Sequence, residues 1–167
     1  MNKKHLPMYG VGPLYVATIL VITIIGIILS HLNYIPYSIK EIKFPLIIIG
    51  IILIILSGYM WYRSVIKDKV DKFIEKGKLL TTGIYSYTRN PIYSAFTILS
   101  LGMILIENNY YLLILPFIYW LFLTILMILT EEKWLQEEFG KEYEEYKKRV
   151  NRCIPIKKIN YYFRKEK

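Results

Sequence analysis

The sequence predicts an all-α polytopic membrane protein with about four transmembrane helices and amphipathic helices on the cytoplasmic side. Three observations carry this. The 167 residues are 54% hydrophobic, with mean hydropathy +0.34, yet hold a net charge of +9. The charge is excluded from four uncharged runs. Of the 22 Lys and Arg, 20 fall on one side of the membrane that those runs define. A soluble domain of this size buries only about 70% of the surface its unfolded chain exposes, too little for so apolar a chain. The same apolar content excludes intrinsic disorder.

The first span is placed at 14–32 and the second at 44–62, each near the roughly 20 residues that cross about 30 Å of hydrocarbon. The first is too long for a signal-peptide core, and no small-residue cleavage site follows it. The third run, Ile92 to Ile106, is short. As a span it borrows its ends to cover 92–108, or it lies in thinned bilayer. The fourth covers 110–130. The whole chain, 1–167, reads as one domain.

Basic residues orient these spans. The N-terminal tail carries two, the first loop two, the connection 63–91 seven, the third loop none and the segment 131–167 eleven. Both termini and the 63–91 connection are therefore expected in the cytoplasm. A nucleic-acid partner is excluded: the basic residues flank membrane runs, are mixed with acids, and belong to no recognisable nucleic-acid module. Attraction to anionic membrane lipids accounts for them.

Within 63–91, Val65, Ile66, Val70, Phe73 and Ile74 recur at helical spacing, and Gly77 ends that helix. Gly83 marks a turn. Asn90 and Pro91 read as N-cap and first position of the third membrane helix, whose open N–H groups attract anions. The fourth span continues without a breaker into Glu131. Leu135, Phe139, Tyr143, Tyr146 and Val150 then form one apolar face, bent near Gly140, and Pro155 ends the helix. The tail 157–167 alternates basic and aromatic residues, as an interfacial anchor does.

Several chemistries are set aside. One cysteine, Cys153, precludes a disulfide scaffold or thiolate cluster. His5 and His31 are isolated, so no metal site is expected. Gly10-Val11-Gly12 follows no strand and is not a dinucleotide loop. The span interiors lack Asp, Glu, Lys and Arg, which argues against an ion pump or channel.

The segment Leu79-Leu-Thr-Thr-Gly-Ile-Tyr-Ser-Tyr-Thr-Arg-Asn-Pro-Ile-Tyr93 resembles the part of the isoprenylcysteine carboxyl methyltransferase family that ends in Arg-His-Pro-x-Tyr. Glu131-Glu132, Phe139-Gly140, Tyr143, Tyr146, Val150 and Pro155 resemble the same family's C-terminal block, and phospholipid N-methyltransferases share the plan. The resemblance covers Gly77 to Pro155. It implies a membrane methyltransferase without a Rossmann sheet, using S-adenosyl-L-methionine and a lipid-like or amphiphilic substrate: an isoprenylcysteine-type carboxylate, a lipid amine or a thiol. By position it assigns Gly77, Lys78, Leu79, Leu80, Tyr85, Asn90, Pro91, Ile92 and Tyr93 to the cofactor pocket. Glu131 would hold the cofactor's amino group, and Arg89 is the motif's Arg, so Arg89 and Glu131 are the candidate catalytic residues. Tyr85, Tyr87 and Tyr93 suit the adenine or the sulfonium.

Two positions depart from the family. Asn90 replaces the motif's His, which removes a base of useful strength. Met127 stands in the substrate-binding turn where the prenylcysteine enzymes carry an Arg, which turns the expected acceptor away from a prenylcysteine carboxyl. A non-catalytic scaffold keeping the fold, or a nicotinamide-dependent lipid reductase, are the alternative readings.

Overall fold

The protein was analysed as a computed structural model that describes residues 10–35 and 42–155. Among the described residues three helices are long and apolar enough to cross a membrane. They are α1 (Gly12–His31), α2 (Lys43–Tyr62, continued through a wider turn to Lys67) and α5 (Ile114–Leu129, entered through the turn Tyr110–Leu113). A shorter apolar helix, α4 (Pro91–Glu107), has 17 residues and is about 25 Å long. Two polar helices, α3 (Val70–Glu75) and α6 (Glu131–Arg149), complete the order. Among the described residues there is no strand, only one isolated bridge between Thr88 and Asn151. The predicted all-helical membrane architecture is what the chain adopts.

The short helix sits among the long ones. α4 packs on α2, α1 and α5. Its crossing with α2 runs through two glycines. A Cβ on Gly50 would lie 2.7 Å from the Gly102 carbonyl oxygen, and one on Gly102 would lie 2.8 Å from that of Gly50. Only missing side chains let the two backbones meet this closely, the usual device where lipid removes the hydrophobic drive for helix association. Between α1 and α5, Tyr15, Ile19, Tyr119, Leu123 and Met127 form a buried core. Hydroxyls tie its helices: Tyr15 with Thr97 at 2.7 Å, and Thr23 with Tyr119 at 3.0 Å. Large apolar side chains such as Ile25, Ile55, Phe117 and Leu129 stay exposed on α1, α2 and α5, as lipid-facing residues do.

The ends of the bundle are chemically distinct. At one end Asn109 Nδ2 donates to Ser30 Oγ (2.9 Å) and to the Ile35 carbonyl (2.7 Å), joining the end of α1 to the α4–α5 turn. Asn108, in the left-handed region at φ 61°, terminates α4 there. At the other end the starts of α1, α4 and α6 meet. The spans therefore alternate in direction, and every described Lys or Arg except Lys43 belongs to segments at this second end.

Three expectations need correction. The amphipathic run 65–74 is not one helix. Lys69 has a positive φ of 49°, and Asp68 leaves the helix to accept from the Ile84 N–H at 2.8 Å, anchoring the turn at Gly83 (φ 60°). The fourth span does not run straight into Glu131: Thr130 leaves the helical region (φ −127°, ψ −90°), so α6 starts in a new direction. The helix ends at Arg149, ahead of Pro155, because the chain turns extended at Val150 and Asn151 and Arg152 then accept from the N–H groups of Arg89 and Asn90. Gly77 does end α3, at φ 57°, with the Lys78 N–H reaching the Phe73 carbonyl at 2.9 Å. Gly140 does bend α6 (φ 50°, ψ −119°), and Tyr143, Tyr146 and Val150 still share a cluster with Leu135 and Phe139. The proposed anchor 157–167 lies outside the described residues, as does His5.

Candidate functional site

The break at Thr130 gives two neighbouring carboxylates opposite surroundings. Glu132 is buried and held by two arginines. Arg152 donates from Nε at 2.6 Å and from Nη2 at 3.1 Å, and Arg89 Nη1 lies 3.1 Å away. Burial alone would raise its pKa, but the Arg152 hydrogen bonds and the Arg89 charge outweigh it and hold the group below the usual carboxylate range. Arg89 also donates to Tyr143 Oη at 3.1 Å and lies 5.8 Å from that ring's centre. Burial pushes the Tyr143 hydroxyl up to about 12 against the pull of Arg89.

Glu131 has no such partner. Among the described residues no cation pairs with it, and both of its hydrogen bonds fall on Oε1: from Tyr93 Oη at 2.7 Å and from the Val11 N–H at 2.9 Å. Burial raises its pKa, and the two bonds offset only part of that. Gly10, at φ 48°, lies against this carboxylate, and a Cβ there would strike it. Gly12 packs on the Tyr93 ring, where a Cβ would lie 2.9 Å from the ring edge. The start of α1 is thus part of the site. Sequence reasoning missed it, because a Gly-x-Gly turn carries no sign of a contact 120 residues away.

A second missed element is the segment after α6. The Arg89 N–H donates to the Asn151 carbonyl at 2.9 Å, and the Asn90 N–H to that of Arg152 at 3.2 Å. Thr88 Oγ1 and Asn90 Nδ2 reach the same Arg152 carbonyl at 3.0 and 3.1 Å, and Ser94 Oγ donates to that of Cys153. Asn90 therefore stands at the N-cap position but makes no side-chain cap. Its amide is spent on holding the chain that carries Arg152.

The predicted residues separate into groups. Tyr93 and Glu131 are bonded, with Asn90, Pro91 and Ile92 directly before Tyr93. Leu79 packs on the Tyr143–Tyr146 cluster. Leu80 and Tyr85 are buried, and the Tyr85 carbonyl accepts from Tyr146 Oη at 2.7 Å. Gly77 and Lys78 are exposed, and a Cβ on Gly77 would meet nothing within 4 Å. Met127 is fully buried in the α1–α5 core, a wall and not an open contact surface. Tyr87 is 46% exposed. Arg89 is joined to Glu132 instead of to Glu131.

The residues fit the amino-acid end of S-adenosylmethionine. A half-buried carboxylate supplied, among the described residues, only with neutral donors accommodates an ammonium, while its neighbour is already neutralised. The first turn of α4, beside Tyr93, offers backbone N–H groups without intrahelical partners to a carboxylate.

Fold and site define an all-α membrane protein with two adjacent, differently partnered carboxylates where its helices meet at the basic end. A family model for phospholipid methyltransferase matches residues 43–142, and the chain belongs to that family. It is 39% identical over 79 residues to a protein-S-isoprenylcysteine O-methyltransferase of Schizosaccharomyces pombe, covering 47% of this chain and 33% of that one. It is 33% identical over 120 residues to the Saccharomyces cerevisiae protein of the same name, covering 65% and 48%. With protein-S-isoprenylcysteine O-methyltransferase B of Arabidopsis thaliana it is 35% identical over 83 residues, covering 49% and 42%. The chain thus spans from a third to about half the length of these relatives. No solved structure matches it.

Proposed function

We propose that the protein transfers a methyl group from S-adenosylmethionine to a membrane-embedded or amphiphilic acceptor at the end of the bundle that faces the cytoplasm. The observation that carries this is the contrast between Glu132, satisfied by two arginines, and Glu131, half-buried and without a cation among the described residues. Family membership and the named relatives support the reaction class. The cofactor supplies an electrophilic methyl on a sulfonium.

The chain's own residues then have limited tasks. Glu131, fixed by Val11 and Tyr93, binds the ammonium. The first turn of α4 receives the carboxylate. Tyr93, Pro91 and Ile92 close the pocket and exclude water, and Leu79, Leu80 and Tyr85 back the wall on which it rests. Methyl displacement needs alignment and desolvation more than acid–base help. The site agrees with this. Asn90 has no basicity to offer, and burial pushes the Cys153 thiol up to about 11, so it is protonated at neutral pH. Arg89, through Glu132 and Arg152, belongs to the acceptor side.

Calorimetry with S-adenosylhomocysteine on detergent-purified protein tests the reading, followed by labelled-methyl transfer to phospholipids, prenylcysteines and thiols. Binding that disappears in Glu131→Ala and persists in Glu138→Ala is expected. No binding at concentrations that saturate a relative would overturn it.

A further inference from the structure

Val11 donates its N–H to Glu131 Oε1 at 2.9 Å across 120 positions of sequence, and Tyr93 Oη donates to the same oxygen at 2.7 Å. Two donors from different elements hold that oxygen in place, and among the described residues none donates to Oε2. Two glycines make the approach possible. Gly10 is left-handed, at φ 48°, and a Cβ there would strike the carboxylate. A Cβ on Gly12 would lie 2.9 Å from the edge of the Tyr93 ring, so the same turn also limits where the second donor can stand. Tyr15, about one turn further along α1, meets that ring edge-on with the ring centres 5.8 Å apart.

The contact is not needed to seat α1. Tyr15 Oη bonds Thr97 Oγ1 at 2.7 Å, Thr23 Oγ1 bonds Tyr119 Oη at 3.0 Å, and Tyr15, Ile19 and Thr23 are completely buried. Val11 itself precedes the helix, so its N–H has no intrahelical acceptor. What the contact does settle is the side chain of Glu131. A glutamate rotates about three side-chain bonds, and fixing them before a ligand arrives removes an ordering cost from binding.

We propose that Gly10-Val11-Gly12 is a positioning element of the cofactor site, which locks Glu131 through Oε1 and so presents Oε2 to the ammonium of S-adenosylmethionine. These residues position Glu131 and do not touch the reacting atoms. The proposal deepens the methyl-transfer reading and rests on it for its functional meaning. It also couples α1 to the ligand. The ligand restrains a carboxylate that holds the turn, and the turn restrains a carboxylate that holds the ligand, so each favours the other. A side chain at position 10, or a missing N–H at position 11, therefore acts on the amino end of the ligand and leaves its adenine end alone.

The test uses the full chain in nonionic detergent. Its readout is the preference for S-adenosylhomocysteine over the analogue that lacks the α-amino group, which isolates the ammonium's own contribution. Wild type should prefer S-adenosylhomocysteine by about tenfold or more, the worth of one charge-assisted contact. Val11→Pro removes the N–H at a φ of −89°, near the range of proline, and should reduce that preference about fivefold. Gly10→Ala should reduce it at least as much. Leu14→Ala, at a 62% exposed position in the first turn of α1, should leave it unchanged. A merely structural effect weakens both ligands equally, and an unchanged preference in folded Val11→Pro and Gly10→Ala overturns the proposal. Where those variants do not fold, amide exchange in 15N-valine-labelled protein decides. The Val11 amide should exchange about tenfold faster in ligand-free Glu131→Ala than in wild type, and equal rates overturn the proposal. Wild type that binds S-adenosylhomocysteine without preferring its amino group overturns it too. Wild type that does not bind S-adenosylhomocysteine refutes the methyltransferase reading instead, and the Val11 exchange rate in Glu131→Ala then judges the positioning contact by itself.

Discussion

Replacing each of two adjacent glutamates by glutamine should produce opposite phenotypes. In Glu132→Gln the bidentate acceptor of Arg152, at 2.6 and 3.1 Å, loses its charge, and so does the counter-ion of Arg89 at 3.1 Å. Removing one partner of a buried ion pair leaves uncompensated charge behind and costs about 3–5 kcal/mol. Here two guanidinium groups are left facing each other, and the tie between α6 and the 150–153 segment weakens with them. Glu131→Gln keeps an acceptor oxygen for Tyr93 and Val11 and removes a half-buried charge that no described cation balances. Ligand-free stability should stay level or rise. Affinity for S-adenosylhomocysteine should fall by about 1.5–3 kcal/mol, the worth of a hydrogen bond to a charged group, or roughly 10- to 150-fold. Thermal unfolding in detergent and calorimetry on the same samples read both effects. If Glu131→Gln destabilises as much as Glu132→Gln, or binds the ligand as wild type does, the division of labour between the two carboxylates is wrong.

Other consequences are open to measurement. Tyr93→Phe removes one of the two donors that position Glu131 and should weaken S-adenosylhomocysteine binding by about 1 kcal/mol with little change in fold, as calorimetry will show. Binding should also weaken on acidification at a higher pH than an ordinary carboxylate implies, because burial raises the Glu131 pKa and the proton abolishes the charge that holds the ammonium. That pH dependence should vanish in Glu131→Gln. The stability linkage has the reverse sign. A carboxyl raised in the folded state favours folding below its ordinary pKa, and this contribution is lost as pH rises through the raised value. Glu132, lowered, contributes stability above its ordinary pKa that is lost on acidification. Gly50→Ala should cost about 1–3 kcal/mol by forcing α2 away from α4, and Gly58→Ala, which meets nothing within 4 Å, should be neutral; the yield of monodisperse protein in detergent distinguishes them.

Much of the fold was legible because lipid makes length and polarity nearly sufficient. The four apolar helices begin and end within a few residues of the uncharged runs, and the Gly77, Gly83 and Gly140 turns fall where glycine supplies a positive φ. Local periodicity misled where tertiary bonds compete with it. The run 65–74 looks helical throughout, but Asp68 is drawn out to the Ile84 N–H. Asn90 looks like an ordinary cap, but its amide is claimed by the Arg152 carbonyl. The apolar face of α6 was read correctly because its contacts lie largely on its own helix, only three and four residues apart.

The sequence by itself determined that the chain is helical and apolar in four stretches, that basic residues crowd one end, and that Arg89 and the Glu131–Glu132 pair sit at the edges of spans. It could not say which glutamate is neutralised. Both have the same chemistry and adjacent positions, and their partners come from elsewhere: Val11 lies 120 residues before Glu131, and Arg152 lies 20 after Glu132. Only the tertiary structure, by turning the chain at Thr130 and bringing the 150–153 segment back onto α4, gives one carboxylate two cations and leaves its neighbour, among the described residues, with neutral donors. Charge pairing in a partly buried site depends on distances of about 3 Å, and no spacing along a sequence encodes those.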